Sequence, residues 1–152
     1  MKQDISQKKV GIDFGSYDSI VIKKHITDIE GGRTLDMTGY PEDVLLAGHV
    51  IISTANEQGE KTYKPMPVKQ VLENNEPKLD EDGNKVYAYD TLPQGAIYEG
   101  ILYRSILKEK PAASILIDGV VNDKVMKIAL GSIEADFKAA CKHIIFNHDE
   151  EA

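Results

Sequence analysis

Two apolar runs constrain this chain more than anything else in it: "GAIYEGILYRSIL" over residues 95–107 and "ASILIDGVVN" over residues 113–122. Ile, Val, Leu and Tyr fill both, as strands buried on one or both faces require. The short link Lys108 to Pro111 joins them. Gly100 and Gly119 interrupt the runs and predict a bulge or a close backbone approach at each. A third strand is expected over His49 to Thr54, after Val44, Leu45 and Leu46, and a shorter one in "TYKPMPV". The pattern predicts an α+β fold, mainly β, compact, with one C-terminal helix and an N-terminal β-capable arm.

That helix is expected to start at Ser132, a favourable N-cap residue. Ile133, Phe137, Ala140, Cys141 and Ile144 then recur at helical spacing as one apolar stripe. Glu134, Lys138 and Lys142 line another face at intervals of four, in the favourable acid-before-base order. "HIIF" (143–146) reads as a closing strand. Cys141, on the apolar stripe, is read as a small core residue and not a nucleophile.

Residues 69–94 differ from their surroundings: they are acidic, polar and rich in turn formers. Asp82-Gly83-Asn84 is placed to close a small hairpin between Lys78-Leu79 and Val86 to Tyr89. A calcium loop starting at Asp80 needs a Glu at its twelfth position, and Thr91 stands there, so that reading fails. The expected division is an N-terminal arm or hairpin over 1–30, a β-rich domain over 31–147 carrying the acidic insertion 69–94, and an acidic tail over 148–152.

The 152 residues carry a formal charge of −7, which speaks against a nucleic-acid partner. No apolar run approaches the ~18 residues of a membrane span, and the opening residues read as no secretory leader. One cysteine permits neither an internal disulfide nor a cysteine-rich metal site. His25, His49, His143 and His148 show no zinc-ligand spacing. No nucleophile elbow or carboxylate pair marks a reaction, so no enzyme and no cofactor is expected.

The stretch "KKVGIDFGSYDSIVIKK" (8–24) tests one chemical hypothesis. Asp13, Gly15 and Ser16 resemble the phosphate turn of actin-like ATPases, in which backbone N–H groups close on phosphate oxygens. The second phosphate loop of that family would be a Gly-rich turn; its nearest counterpart, Asp118-Gly119-Val120, lacks the pattern, and no adenosine segment follows. The same letters describe an ordinary β-hairpin at Gly15, which is the expectation here. A small nucleotide-binding module built on Asp13, Gly15 and Ser16 stays as an alternative.

The order of features from residue 45 onward carries a wider resemblance. Gly48 to Ile51, Tyr63 to Pro65, Gly95 to Leu102, Ala113 to Asn122 and Ala135 to Phe146 follow one another as in the lambda-type head decoration proteins of tailed bacteriophages. The chain departs from that pattern in its long acidic insertion, its richer N-terminal segment and His143 in place of a Gly. The resemblance implies a structural virion protein that sits on the capsid exterior, after passing through the host cytoplasm during assembly. It implies a homo-trimer that clamps the major capsid protein, with an arm able to add a strand to a capsid subunit. The arm residues this singles out are Val10, Ile12, Phe14, Tyr17, Ile20, Ile22, Lys23 and Lys24. A head fibre or fibre-anchoring role, with other head proteins held through residues 69–94, is the related alternative.

Overall fold

The computed structural model describes residues 14–148. Strands of three residues or more are numbered here in chain order. Helix α1 (Phe14–Val21) leads directly into β1 (Ile22–Asp28); β2 (Val50–Ala55) and β3 (Lys61–Pro65) follow. The insertion supplies β4 (Val68–Gln70) and β5 (Tyr87–Tyr89). Then come β6 (Ala96–Leu102), β7 (Ile115–Val121), helix α2 (Glu134–Ala140) and β8 (Ile144–Phe146). The main sheet runs β1-β7-β6-β2-β3. Its antiparallel pairings are joined by one parallel one, β7 with β8.

The two apolar runs of the sequence are β6 and β7, and their register explains the composition. Ile101 pairs with Leu116 and Leu102 with Ile115, while Ile101 also pairs with Val50 on the other side. Successive residues of a strand point to opposite faces. Val50, Ile52, Ile101 and Leu116 enter one core cluster, with Val21, Phe137 and Ile144. Ile51, Leu102 and Ile115 enter a second, with Leu35, Leu45 and Ala113. The sheet centre is therefore covered on both faces, which demands continuous apolar runs and not an alternating pattern. The second face is closed by two short ribbons, Val44-Leu45 with Ile106-Leu107 and Arg33-Thr34 with Ala112-Ala113.

Gly100 and Gly119 act as expected. A Cβ on Gly100 would collide with the Leu116 carbonyl oxygen, and one on Gly119 with that of Lys24. The β6/β2 register shifts between Tyr98 and Gly100, a bulge that turns Glu99 toward Ser53 Oγ (2.5 Å) and Lys61 Nζ (2.7 Å).

The C-terminal helix is present but starts differently. Gly131–Ile133 form a 3₁₀ turn, and α2 follows with Ile133 at its N-cap and no side-chain cap, so Ser132 does not cap it. The positive φ of Gly131 begins the tighter turn in its place. Ile133, Phe137, Cys141 and Ile144 are buried, but Ala140 faces solvent. Phe137 packs edge-on against Tyr98 and Phe146 at centroid distances of 5.6 and 6.0 Å. Lys138 reaches Glu134 at 2.7 Å, as the spacing predicts.

The expected hairpin at Gly15 is replaced by α1, so the described chain has a second helix and residues 14–28 do not form a separate arm. Val21 and Ile22 are core residues. Val10, Ile12 and Asp13 lie outside the described residues. At the other end Asn147 still donates its N–H to Val121 and His148 lies 3.2 Å from Asp123, so ordered contacts run into the expected tail.

Replacing Gly100 by Ala forces strand β6 off the Leu116 carbonyl and is expected to cost about 1–3 kcal/mol of unfolding free energy. Urea denaturation measures it; a loss under about 0.5 kcal/mol would contradict the close approach.

Candidate functional site

Helix α1 is a poor helix by composition, holding Gly15, Ser16, Asp18 and Ser19 in eight residues. Distant partners hold it in place. The Asp18 carboxylate accepts from Ser105 N–H (3.0 Å) and from Ser105 Oγ (2.5 Å), and Ser105 Oγ accepts from Ala47 N–H (2.9 Å). Tyr17 Oη accepts from Lys127 N–H at 3.0 Å. Val21 packs so closely over Gly48 that a Cβ there would stand 2.8 Å from it, and Gly48 takes φ +92°. These contacts fix where β1 begins.

β1 lies at the end of the sheet, paired with β7 on its inner side; among the described residues no strand pairs its outer side. Lys23, Lys24, His25, Ile26 and Thr27 are all exposed, with the His25 ring packed on Tyr103 at 4.6 Å, so from Lys24 to Thr27 β1 is largely turned to solvent. Its register against β7 shifts three times. Ile26 is 52% exposed, and Ile20, near the end of α1, is 54% exposed.

The residues singled out from the sequence therefore separate. Ile20, Lys23 and Lys24 are exposed at or just before this edge. Ile22 faces the core, because it opens β1 opposite Val121. Tyr17 is half-buried against the 125–127 loop, where burial raises its hydroxyl pKa. Phe14 opens α1. Gly15 and Ser16 occupy the first turn of that helix and not a strand-to-strand turn, so the phosphate hairpin that motivated the nucleotide alternative is absent from the described residues.

A second feature is a groove beside the insertion, which no spacing in the sequence pointed to. The acidic insertion is ordered: β4 pairs with β5, Leu79 bridges Lys85, and Asp80 accepts from Asp82 and Asn84 N–H groups, closing the expected hairpin. Asn74 and Asn75, both at positive φ, turn a second small hairpin between Leu72-Glu73 and Glu76-Pro77. The insertion rests against the segment Tyr40 to His49, and a groove of about 850 Å³ runs between them. Tyr40, Tyr87 and Tyr89 line it, and His49 lies between Tyr40 and Tyr89, edge-on to each at 5.5 and 5.1 Å. Lys127, reaching Asp80 at 3.5 Å, ties the insertion to the body.

His49 Nε2 lies 2.9 Å from the Met66 carbonyl, which only accepts, so Nε2 carries the proton and Nδ1 is an acceptor. Burial drives its pKa down to about 4, against a weaker raising effect of that hydrogen bond. Tyr89 Oη accepts from Val50 N–H, and burial raises its pKa. Tyr40 is pushed up to about 12 by burial and then by the Glu42 carboxylate, whose charge also raises Tyr87. Cys141 is buried, with its thiol raised to about 11 by desolvation, the setting of an inert core thiol. Among the described residues no group of three or more metal-ligating side chains converges, and no helix is long and apolar enough to cross a membrane.

No protein-family model, characterised protein or solved structure matches the chain.

Two tests follow from this geometry. Ser105→Ala removes the hydroxyl donor to Asp18, leaving the backbone N–H, and strands the Ala47 N–H, and is expected to cost about 1–3 kcal/mol by denaturant unfolding; an unchanged midpoint would show that the hydroxyl tether carries nothing. His49 is neutral when folded and titrates near pH 6.5 when unfolded, so the unfolded state binds the extra proton. The stability this provides is complete above pH 6.5 and is lost as pH falls toward 4, about 3 kcal/mol in all. The stability advantage of the wild type over His49→Gln should shrink by about that much across the window; a constant difference would contradict a buried neutral imidazole.

Proposed function

We propose that this protein binds the outer surface of a bacteriophage capsid and stabilises it, as an auxiliary or decoration protein. The order of sequence features supports the reading, and the observation that carries it is the edge strand β1, exposed from Lys24 to Thr27 and, among the described residues, with no strand paired to its outer side. Such an edge presents a row of backbone donors and acceptors to which another chain can add a strand. Main-chain hydrogen bonds then supply affinity, and Ile20 and Ile26 supply apolar contact on either side. Each clamp is individually modest. A trimer engaging neighbouring major capsid subunits, repeated over a closed shell, makes subunit separation improbable through effective concentration and not through any one strong bond.

The arm in this reading is shorter than the expected residues 1–30, because Val21 and Ile22 belong to the core. A second reading, attachment of a head fibre, draws on Leu72 and Leu79, which are 60% and 54% exposed on the insertion.

Cosedimentation with expanded capsids stripped of auxiliary proteins tests the proposal. The wild type is expected to pellet with capsids, and the double variant Ile20→Asp, Ile26→Asp to bind more than about tenfold more weakly. Both side chains are largely exposed, so the thermal midpoint should hold. A variant that binds as tightly as the wild type would remove β1 as the clamp, and a wild type that stays in solution would remove the capsid reading.

A further inference from the structure

The groove between Tyr40–His49 and the insertion, at about 850 Å³, falls in the range of ligand sites, about 300–1,000 Å³. We propose that it receives the guanidinium of an arginine side chain carried on a partner polypeptide.

The walls favour that group for three reasons. Tyr40 and Tyr87 line the groove and are partly exposed, and aromatic ring faces carry the negative side of a quadrupole that attracts a planar cation. Glu42 and Asp43 also line it and are exposed, so a carboxylate stands at the opening without having been desolvated in advance. Glu42 lies near enough to act on both Tyr40 and Tyr87, and it accepts a hydrogen bond from the Tyr87 side chain. Finally, buried His49 holds its proton on Nε2 and stays neutral, so it brings no positive charge to the groove wall.

The opposing charges are Lys127 and Lys85. Lys127 is engaged by Asp80, which leaves Lys85 against Glu42 and Asp43. An anion would meet the two carboxylates, and an apolar side chain would gain nothing from them. A guanidinium can stack on tyrosine and meet a carboxylate with two parallel N–H donors, which a lysine ammonium cannot do. The proposal does not depend on the capsid reading, since any partner presenting an arginine could use the groove.

The test uses the isotopically labelled full chain and nuclear magnetic resonance. Nα-acetyl-arginine amide is the probe, and Nα-acetyl-citrulline amide is its neutral control of the same shape. Arginine amide is expected to produce saturable shifts centred on Tyr40, Glu42, His49 and Tyr87, with a millimolar dissociation constant; citrulline amide should produce none. Glu42→Gln, at an exposed position, should leave the spectrum folded and weaken arginine binding about tenfold. Absence of saturation, equal binding of citrulline, or undiminished binding by Glu42→Gln would each overturn the assignment. Because capsids take no part, failure here leaves the capsid reading standing, and failure of cosedimentation leaves this one standing.

Discussion

The rest of the structure depends on how closely other backbones approach strand β7, Ile115–Val121. Its one side carries β1 along nearly its whole length. Its other side is shared, first by β6 at Ile115 and Leu116, then by β8 from Gly119 to Val121. Three partners on one short strand leave no room for side chains where the backbones are tightest. Gly100 and Gly119 stand at those points, each with a carbonyl oxygen where a Cβ would be. With β7 fixed, the alternation of Ile115 and Leu116 fills both faces, and the two core clusters follow from the pleat.

The two surfaces of functional interest are by-products of what cannot be covered. β1 ends the sheet and borrows its position from α1, a weak helix held by Asp18, Tyr17 and Val21. The price of a well-placed open edge is a helix that contributes little stability of its own. Lysines at Lys23 and Lys24 are also what an edge strand uses to discourage indiscriminate pairing. The groove arises in a similar way. The insertion makes its own small sheet and touches the body mainly through tyrosine, histidine and the Lys127–Asp80 pair, so the seam stays partly open.

Much of the sheet was legible in the letters. Val50 to Ile52, Ile101 to Leu102 and Ile115 to Leu116 are continuous apolar pairs or triplets, which two-sided burial requires and a helix of this length does not. The Ile133, Phe137, Cys141 and Ile144 spacing likewise located the last helix. What was not legible rests on contacts between distant residues. Gly-Ser-Tyr-Asp is turn chemistry locally, but Asp18 meets Ser105 at a separation of 87 residues and Tyr17 meets Lys127 at 110. Those contacts outweigh local propensity and convert a predicted hairpin into a helix. The groove joins residues from the forties, the eighties and position 127, three segments whose proximity no periodicity encodes. In the insertion the hairpin at Asp82-Gly83-Asn84 was legible, but the second one turned by Asn74 and Asn75 was not, and the insertion's apolar anchors, Tyr87 and Tyr89, find partners outside it.

The most direct measurement of the central claim is the copy number of this chain in purified particles made by the genome that encodes it, determined by quantitative mass spectrometry against the major capsid protein. The account predicts a number comparable to that of the major capsid protein, as a clamp repeated over the whole shell must have. Absence from intact particles would contradict it.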